Sequence, residues 1–373
     1  MIDSSINMAA SLTTADREHL ERALELAEGG RGRVSPNPLV GAVVVREGDV
    51  IGEGFHAELG GLHAERTALA DCAERGEDPA GATLYVTLEP CAHEGRQPPC
   101  VEAILEAGIG RVVIASDDPS EKASGRGPGM LRDGGVGVDF AAGEEATAAR
   151  LLNQPFRKHA RTGLPLVTLK LAMSLDGQTT APEGESPWIS SPTSLELVHR
   201  WRAESDAIAV GIGTVLADDP LLTARSDSSD ASYVPIGHIS HSGTAPRQPL
   251  RVVFDRRARL PLGSQLLQTL DRSSVIVVVA QDADSARAAA LREAGAEILV
   301  AEGIEAALAG LGRRGVTSLF LEGGRTLAAA FAAVGQIDEA RVFVAPVLLD
   351  SGKRIEALGG AEDTLIETRF KGW

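Results

Sequence analysis

The sequence predicts an α/β protein built from two domains. At 373 residues the chain is too long for one domain of ordinary size and long enough for two, each with its own hydrophobic core. The first half predicts elements in the order α-β-β-α-β-α-β, which is typical of a three-layer α/β domain. The alternation of strand and helix restarts after residues 160–166, a short stretch that contains Gly163 and Pro165. We therefore predict one domain over residues 1–160 and a second over residues 161–373.

The elements of the first domain are predicted from the spacing of apolar residues. Leucine and alanine at helical spacing predict a helix over residues 16–28, which ends at Gly29 and Gly30. The valine-rich run 39–45 turns at Gly48 and Asp49 into residues 50–52 and predicts a β-hairpin. The remaining predictions are a helix over 63–75, a strand over 83–88, a helix over 101–107, a strand over 112–115 and a long helix over 142–159.

The second domain is predicted to contain a mostly parallel sheet, because apolar runs alternate with helical stretches. The strands are predicted over 166–171, 207–211, 251–254, 275–280, 298–300 and 318–321, and the helices over 193–203, 285–294, 305–310 and 326–333. Residues 226–249, rich in Ser, Gly, Asp, His and Pro, predict a long polar loop. A Gly-x-Gly-x-x-Gly fingerprint is absent, but Glu322-Gly323-Gly324 follows a strand and opens a helix, whose N-terminus can hold a phosphate.

Net charge and composition exclude several classes of function. A formal net charge of −16 argues against a nucleic-acid surface, because neutralising phosphates requires a basic face. An anionic small substrate would need local cations, for which Arg200, Arg202 and Arg225 are candidates. No apolar stretch reaches the about 18 residues of a membrane span, and residues 1–14 lack the basic start and apolar run of a secretory signal. We therefore predict a cytoplasmic protein that binds neither nucleic acid nor membrane.

Three residues of the first domain have the identity and spacing of a zinc site. Cys91 and Cys100 can supply two thiolates and His63 one imidazole, which leaves the fourth tetrahedral position of a Zn²⁺ ion free for water. An open position is typical of a catalytic site, whereas a structural site is closed. The third cysteine, Cys72, is predicted to lie in the core.

Glu65 lies two residues after His63, where a carboxylate can move protons for water at the metal. His-x-Glu followed by Pro-Cys is the pattern of the zinc deaminases, although eight residues rather than two separate the cysteines here. We therefore predict hydrolytic deamination with Glu65 as the catalytic residue. The alternative is a closed structural site with His56 or His93 as fourth ligand. In an open site, both histidines are predicted to contact substrate or to support the residues that do.

The residues around these cysteines resemble a known family. Residues 35–41 and 86–100 resemble those of the bacterial bifunctional deaminase/reductases of riboflavin biosynthesis, and the resemblance extends over nearly the whole chain. It implies a cytidine-deaminase-like fold for the first domain and a pyrimidine pocket lined by Asn37, His93 and Arg96. Two departures affect this pocket, because Gln97 replaces a usual Thr and Ser120-Glu121 replaces a usual Asn-Pro.

In the second half, residues 168–177, 184–189, 211–220 and 223–225 resemble the reductase domain of the same family. The resemblance implies a fold like that of dihydrofolate reductase and NADPH as the cofactor. By match of motif, the implied cofactor contacts are Ala172, Trp188, Thr214, Asp218 and Gly324, and the implied substrate contacts are Lys170, Ser186, Arg202, Leu222, Arg225 and Glu322. Arginines suit a phosphate and Trp188 offers a flat face for stacking. Arg256 stands where the family often has Ser near the cofactor.

The predicted protein is a bifunctional enzyme that uses Zn²⁺ and NADPH and acts on a small phosphoribosyl-pyrimidine. The first domain would deaminate 2,5-diamino-6-(5-phosphoribosylamino)pyrimidin-4(3H)-one, and the second would reduce the ribosyl group of the product to the ribityl form. A homo-oligomer is expected. Two alternatives stay open: another base deaminase fused to an unrelated reductase, and an inactive zinc-stabilised binding protein.

Overall fold

The computed structural model describes residues 12–94, 97–121, 123, 125–180, 190–225, 247–349 and 362–373, and the backbone of residues 355 and 356. These residues form two compact units. The main segment of the first unit ends at Thr162, and the second unit begins at Gly163. Within the described residues, no helix is long and apolar enough to cross a membrane.

The first unit is a sheet with helices on both faces. Its strands are β1 (Gly41–Arg46), β2 (Asp49–Phe55), β3 (Thr83–Val86), β4 (Arg111–Ile114) and β5 (Gly137–Phe140). Its helices are α1 (Thr14–Glu28), α2 (Ala64–Arg75), α3 (Cys100–Glu106), α4 (Arg126–Asp133), α5 (Glu144–Leu152) and α6 (Gln154–Thr162). In this part of the described chain the strand order is β2-β1-β3-β4-β5, with β1 antiparallel to β2 and β3 and the last three strands parallel.

Two separate cores give the three layers that the sequence predicts. Side chains alternate along β1, so that Ala42 and Val44 pack with α2, α3 and α4, whereas Val43 and Val45 pack with α1 and α5. Cys72 is fully buried in the first of these cores, as predicted. Helix α2 lies close against β2, because a Cβ atom at Gly54 would come within 2.4 Å of the backbone of α2. This close approach fixes the position of α2, the helix that begins directly after His63.

The predicted long helix over residues 142–159 is wrong, because the chain forms α5 and α6 with a break at Asn153. The Asn153 side chain accepts from the N–H of Leu39 and donates to its carbonyl, both at 2.8 Å. Pro155, which lacks an amide hydrogen, favours a helix start at this point. The apolar pattern also misses α4 and β5, because glycines at Gly125, Gly127, Gly129, Gly134, Gly135 and Gly137 interrupt it.

The second unit alternates strands and helices around a larger sheet. Its strands are β6 (Leu166–Ser174), β7 (Ala207–Gly211), β8 (Leu250–Phe254), β9 (Val275–Val279), β10 (Glu297–Val300), β11 (Ser318–Glu322), β12 (Glu339–Ala345), β13 (Val347–Leu348), β14 (Ile355–Glu356) and β15 (Thr364–Arg369). Its helices are α7 (Pro192–Glu204), α8 (Ile212–Asp218), α9 (Gln265–Gln268), α10 (Ser285–Glu293), α11 (Ile304–Gly312) and α12 (Arg325–Ala333).

The main sheet of this unit has the described strand order β10-β9-β8-β7-β11-β6-β12-β15. Only the pairing of β12 with β15 is antiparallel among the described pairs of this sheet, which confirms the prediction of a mostly parallel sheet. Two cores cover its faces, one with α7 and α10 and the other with α11 and α12. Strand β11 lies between β6 and β7, so the carboxyl ends of these three strands form one edge, the place where open α/β sheets bind ligands.

The sequence pattern misses the helices α8 and α9 and the strands β12, β13, β14 and β15. Of the predicted polar loop over 226–249, residues 226–246 lie outside the described residues.

Candidate active sites

Three elements bring the zinc-ligand candidates together. Helix α2 begins directly after its N-cap residue His63, Cys91 follows β3 by five residues, and Cys100 is the first residue of α3. The carbonyl of Cys91 accepts from the N–H of Val101 at 3.2 Å, and its sulfur accepts from the N–H of Cys100 at 3.4 Å. These bonds close the loop between the two cysteines and bring their sulfurs to His63.

The donor atoms have the spacing of a tetrahedral zinc site. Nδ1 of His63 lies 3.5 Å from Sγ of Cys91 and 3.3 Å from Sγ of Cys100, and all three atoms lie within 4.8 Å of one another. Zinc bonds of about 2.0 Å to nitrogen and about 2.3 Å to sulfur, at a tetrahedral angle, place a ligand nitrogen and a ligand sulfur about 3.5 Å apart. The residues therefore fit a zinc ion that is bound through Nδ1 of His63.

The two sulfur atoms are hydrogen-bonded to each other and to His63. A hydrogen bond from Cys100 lowers the pKa of Cys91 to about 4, and the same bond raises the pKa of Cys100. The hydrogen bond with Cys91 also raises the pKa of His63. Cys91 is therefore stabilised as a thiolate, the form that binds metal.

Among the described residues, no fourth side chain joins this cluster. Nδ1 of His56 lies 2.9 Å from the carbonyl of Leu62, and Nε2 lies 3.1 Å from Nδ2 of Asn37. Because a carbonyl only accepts, Nδ1 carries the proton and Nε2 accepts from Asn37. Burial lowers the pKa of His56, which favours this neutral form. Both nitrogens are engaged, so the structure disfavours the closed site with His56 as a ligand.

Glu65 lies beside the cluster. It is in the first turn of α2, is 3% exposed, and lines the same cavity as His63 and Cys91. Burial raises the pKa of its carboxyl, with a further contribution from the negative charge of Cys91. A carboxyl group that faces both the donor atoms and a cavity is placed to exchange protons with a ligand.

A cavity of about 390 Å³ opens next to these residues. This volume is within the range of about 300 to 1,000 Å³ that is usual for small-molecule sites. Its polar lining includes Asn37, His56, His93, Gln97, Asp118 and Ser120, and its apolar lining includes Val40, Leu88 and Phe156. Nδ1 of His93 is buried and has no hydrogen-bond partner among the described residues, so we expect it to be available to a ligand. The predicted contact Arg96 lies outside the described residues.

Two carboxyl groups of this cavity are not identified as site residues from the sequence. Burial raises the pKa of Glu89 to about 7 and also raises the pKa of Asp118. Glu89 precedes Pro90 and Cys91 after β3, and Asp118 follows the neighbouring parallel strand β4. Their positions after adjacent parallel strands are the signal that would have indicated them.

In the second unit, three predicted substrate contacts come together. Arg202 of α7 donates from Nε and Nη2 to the two carboxylate oxygens of Glu322 at 2.6 and 2.8 Å. The two side chains are 15% and 12% exposed. Lys170 of β6 lies opposite Glu322 of β11 in the strand register. Burial lowers the pKa of Lys170, although Glu322 opposes the shift. Arg200, in contrast, pairs with Glu204 at 4.0 Å.

The two other described substrate candidates lie on residues 219–225, which we call the α8 strap because it follows α8. Leu222 has a left-handed backbone with φ +51°, and its side chain is 3% exposed within the core. A substrate contact by Leu222 would therefore have to come from its backbone. Arg225 is exposed at the end of the strap. Ser186 and Trp188 lie outside the described residues.

The predicted cofactor contacts lie near the carboxyl ends of three adjacent strands. Ala172 is on β6, Thr214 and Asp218 are on α8 after β7, and Gly324 is the N-cap residue of α12 after β11. A Cβ atom at Gly323 would lie 3.8 Å from the backbone nitrogen of Gly211, so two glycine-started helices begin close together. Helix N-termini at the carboxyl edge of a parallel sheet suit the phosphates of a dinucleotide. The described residues therefore fit a nicotinamide dinucleotide.

Comparison with protein families gives two matches, one in each of the two units. Residues 13–116 match the cytidine and deoxycytidylate deaminase zinc-binding region, and residues 165–373 match the RibD C-terminal domain. The riboflavin biosynthesis protein RibD of Escherichia coli (strain K12) is 38% identical over 362 residues, which cover 95% of each chain. That of Aquifex aeolicus (strain VF5) is 38% identical over 346 residues, 92% of this chain and 90% of its own.

The chain belongs to the RibD family. Solved RibD structures agree with the fold. That of Acinetobacter baumannii RibD, form 1, is 37% identical with a TM-score of 0.77, and covers 93% of this chain and 91% of its own. A Thermotoga maritima protein, a diaminohydroxyphosphoribosylaminopyrimidine deaminase/5-amino-6-(5-phosphoribosylamino)uracil reductase, is 32% identical with a TM-score of 0.79, and covers 95% of this chain and 98% of its own.

Membership in the RibD family confirms several predictions from the sequence. The protein is an enzyme of riboflavin biosynthesis with a deaminase and a reductase domain. The α/β fold class is confirmed, with a cytidine-deaminase-like fold before a RibD reductase domain. The roles of individual residues and the identity of the cofactors stay predictions.

Proposed function

We propose that the first unit deaminates 2,5-diamino-6-(5-phosphoribosylamino)pyrimidin-4(3H)-one and that the second reduces the ribosyl group of the product with NADPH. The observation that carries the proposal is the cluster of His63, Cys91 and Cys100 beside Glu65, at the wall of a cavity of about 390 Å³. The name of the Thermotoga maritima protein, which contains both activities, supports the choice of substrate.

Zinc held by His63, Cys91 and Cys100 would make water a nucleophile at neutral pH. Glu65 accepts a proton from the water that attacks the ring carbon bearing the amino group. It then gives a proton to the amine nitrogen, which leaves as ammonia while the ring carbon becomes a carbonyl. The burial of Glu65 keeps this exchange within the cavity.

Asn37 and His93 bind the pyrimidine in this proposal. Asn37 gives one amide N–H to His56, which in turn donates to Leu62. The amide is thereby oriented, with its oxygen and second N–H left for the base. His93 contributes the unpaired Nδ1. Arg96 is assigned to the same pocket by resemblance, and His56 supports Asn37 instead of contacting the base.

In the reductase, Arg202 pairs with Glu322, and Lys170 lies opposite Glu322 in the strand register. We assign these three residues to the substrate, together with Arg225, Ser186 and the backbone of Leu222. NADPH is assigned to Ala172, Trp188, Thr214, Asp218 and Gly324. The half-buried pair of Arg202 and Glu322 supports this assignment, because a polar ligand can exchange hydrogen bonds with both groups.

Product analysis by mass spectrometry tests the proposal. The protein is incubated with the phosphoribosyl-pyrimidine, with and without NADPH, and zinc is measured by elemental analysis. We expect the uracil product and ammonia without NADPH, and the ribityl product with it. No ammonia release from this pyrimidine would favour a deaminase for another base. Bound zinc without either product would favour an inactive zinc-stabilised binding protein.

We also propose the cytoplasm as the compartment and an association of identical chains as the assembly. Cys91 and Cys100 are assigned to zinc as thiolates, and a reducing compartment keeps cysteines in this form. Sedimentation equilibrium of the purified protein tests the assembly, and a single monomer mass at micromolar concentration would contradict it.

A further inference from the structure

The α8 strap combines buried backbone with one exposed cation. Residues 222–224 are buried, whereas Arg225 is exposed. Asp219 and Leu222 both have left-handed backbone, with φ +39° and +51°. Asp219 is the C-cap residue of α8, where Asp adopts this conformation readily, whereas Leu222 holds it only where the surrounding structure imposes it. The strap is therefore a segment whose course is set by its neighbours.

Residues from other segments form hydrogen bonds to the strap along its length. Gln265 donates its backbone N–H to Oδ1 of Asp219 at 2.9 Å and its Nε2 to the carbonyl of Asp219 at 2.6 Å. Nη1 of Arg251 donates to the carbonyl of Leu221 at 3.3 Å. Nη1 of Arg202 donates to the carbonyl of Thr223 at 3.2 Å.

Gln248 holds the residue that precedes Arg225. Its Oε1 accepts from the N–H of Ala224 at 3.0 Å, and its Nε2 donates to the carbonyl of Ala224 at 2.8 Å. One side-chain amide thus pairs both backbone polar groups of Ala224, as a neighbouring strand would. Gln248 is itself fixed, because Pro249 and the buried strand β8 follow it directly.

We propose that Gln248 is a positioning residue for the reductase substrate, which it serves through Arg225 by fixing the backbone of Ala224. The inference rests on the proposed function, in which Arg225 binds the anionic part of the pyrimidine nucleotide. Gln248 does not touch the substrate. Its two hydrogen bonds to Ala224 fix the position of the backbone that carries Arg225. The guanidinium therefore reaches the phosphate without a further loss of conformational entropy on binding.

The test measures reduction of the supplied deaminated ribosyl substrate by the full chain. Gln248→Leu keeps most of the side-chain volume but removes both hydrogen bonds to Ala224. We expect KM for the pyrimidine to rise roughly 10- to 100-fold, the effect of losing one charge-assisted hydrogen bond from Arg225. The kcat and the KM for NADPH should stay close to the parent values. Gln265→Leu is the matched control, because it removes a bond to the other end of the strap and should leave the pyrimidine KM unchanged.

A double-mutant cycle shows whether the effect passes through Arg225. Arg225→Ala alone should raise the pyrimidine KM, and Gln248→Leu with Arg225→Ala should raise it no further. Two results would overturn the positioning role of Gln248 and leave the substrate role of Arg225 intact. One is a double variant whose KM increase equals the combined effects of the two single variants. The other is a Gln248→Leu variant with the parent KM while Arg225→Ala has a raised KM. A parent KM in Arg225→Ala would instead remove Arg225 from the proposed site. If Gln248→Leu does not fold, Gln248→Met gives the same comparison with an unbranched side chain.

Discussion

Replacing Arg202 should lower the stability of the second unit and, as a separable effect, weaken its binding of the pyrimidine substrate. The side chain makes two hydrogen bonds to Glu322, at 2.6 and 2.8 Å, and one to the carbonyl of Thr223 at 3.2 Å. Burial opposes the charge of Arg202, but Glu322 outweighs it and raises the pKa of the guanidinium. Arg202→Met would therefore leave the carboxylate of Glu322, which is 12% exposed, without its main partner.

The expected loss of stability is about 3 kcal/mol, the lower end of the range for breaking a buried ion pair, because both side chains keep some contact with water. Adding Glu322→Gln should recover part of that loss, since the remaining group is then uncharged. Arg225→Ala is the control, because an exposed arginine should change the free energy of unfolding by no more than about 0.5 kcal/mol.

Urea unfolding of each variant measures the stability, and steady-state reduction measures the pyrimidine KM. Both Arg202→Met and Arg225→Ala should raise that KM, whereas only Arg202→Met should lower the midpoint of unfolding. The reasoning would be refuted if Arg202→Met were as stable as the parent, or if the double variant were less stable than Arg202→Met. Unchanged KM in both arginine variants would remove them from the substrate site.

Three further outcomes are expected. Cys100→Ser should lose most of the zinc, because one of three ligands is removed, and a full equivalent by elemental analysis would contradict the assignment. Glu65→Gln should slow deamination about 10²- to 10⁴-fold, yet reduce a supplied deaminated substrate near the parent rate, and loss of both activities in a folded variant would contradict two separate sites. Burial and the hydrogen bond to Asp16 raise the pKa of Tyr85 to about 12, so alkaline absorbance titration should show a late phenol that Tyr85→Phe abolishes. Since the folded pKa is raised, this contribution to stability is present below the ordinary tyrosine pKa of about 10 and is lost as the pH rises through the folded value.

Fold prediction succeeds where periodicity is strong and fails where special residues interrupt it. The strand at residues 207–211 is predicted with the observed bounds, because a buried apolar run follows a helix with a clear end. The break at Asn153 is missed, since it depends on hydrogen bonds to Leu39, a residue more than a hundred positions away. Helix α4 is missed because Gly127 packs against the carbonyl of Pro90, a contact that selects glycine in a helix.

The sequence indicates candidate site residues where a short motif carries the chemistry. His63, Cys91 and Cys100 are identified from residue type and spacing, and the structure brings their donor atoms together. The residues that position others carry no such motif. Gln248 is found only because the fold brings it to Ala224, and the supporting role of His56 depends on its contacts with Asn37 and Leu62.

The charges of the reductase site favour an anionic substrate in spite of the acidity of the whole chain. The formal net charge is −16, so the general field repels a phosphate. At the site edge, however, Lys170 and Arg202 lie beside the carboxylate of Glu322, and the exposed Arg225 adds a further positive charge. Asp363 adds a second negative charge that acts on Lys170, so three cations still outnumber two carboxylates there. Burial lowers the pKa of Lys170 because its charge is only partly balanced there. A bound phosphate would supply the missing negative charge, so substrate binding should favour the protonated lysine and weaken as salt concentration rises.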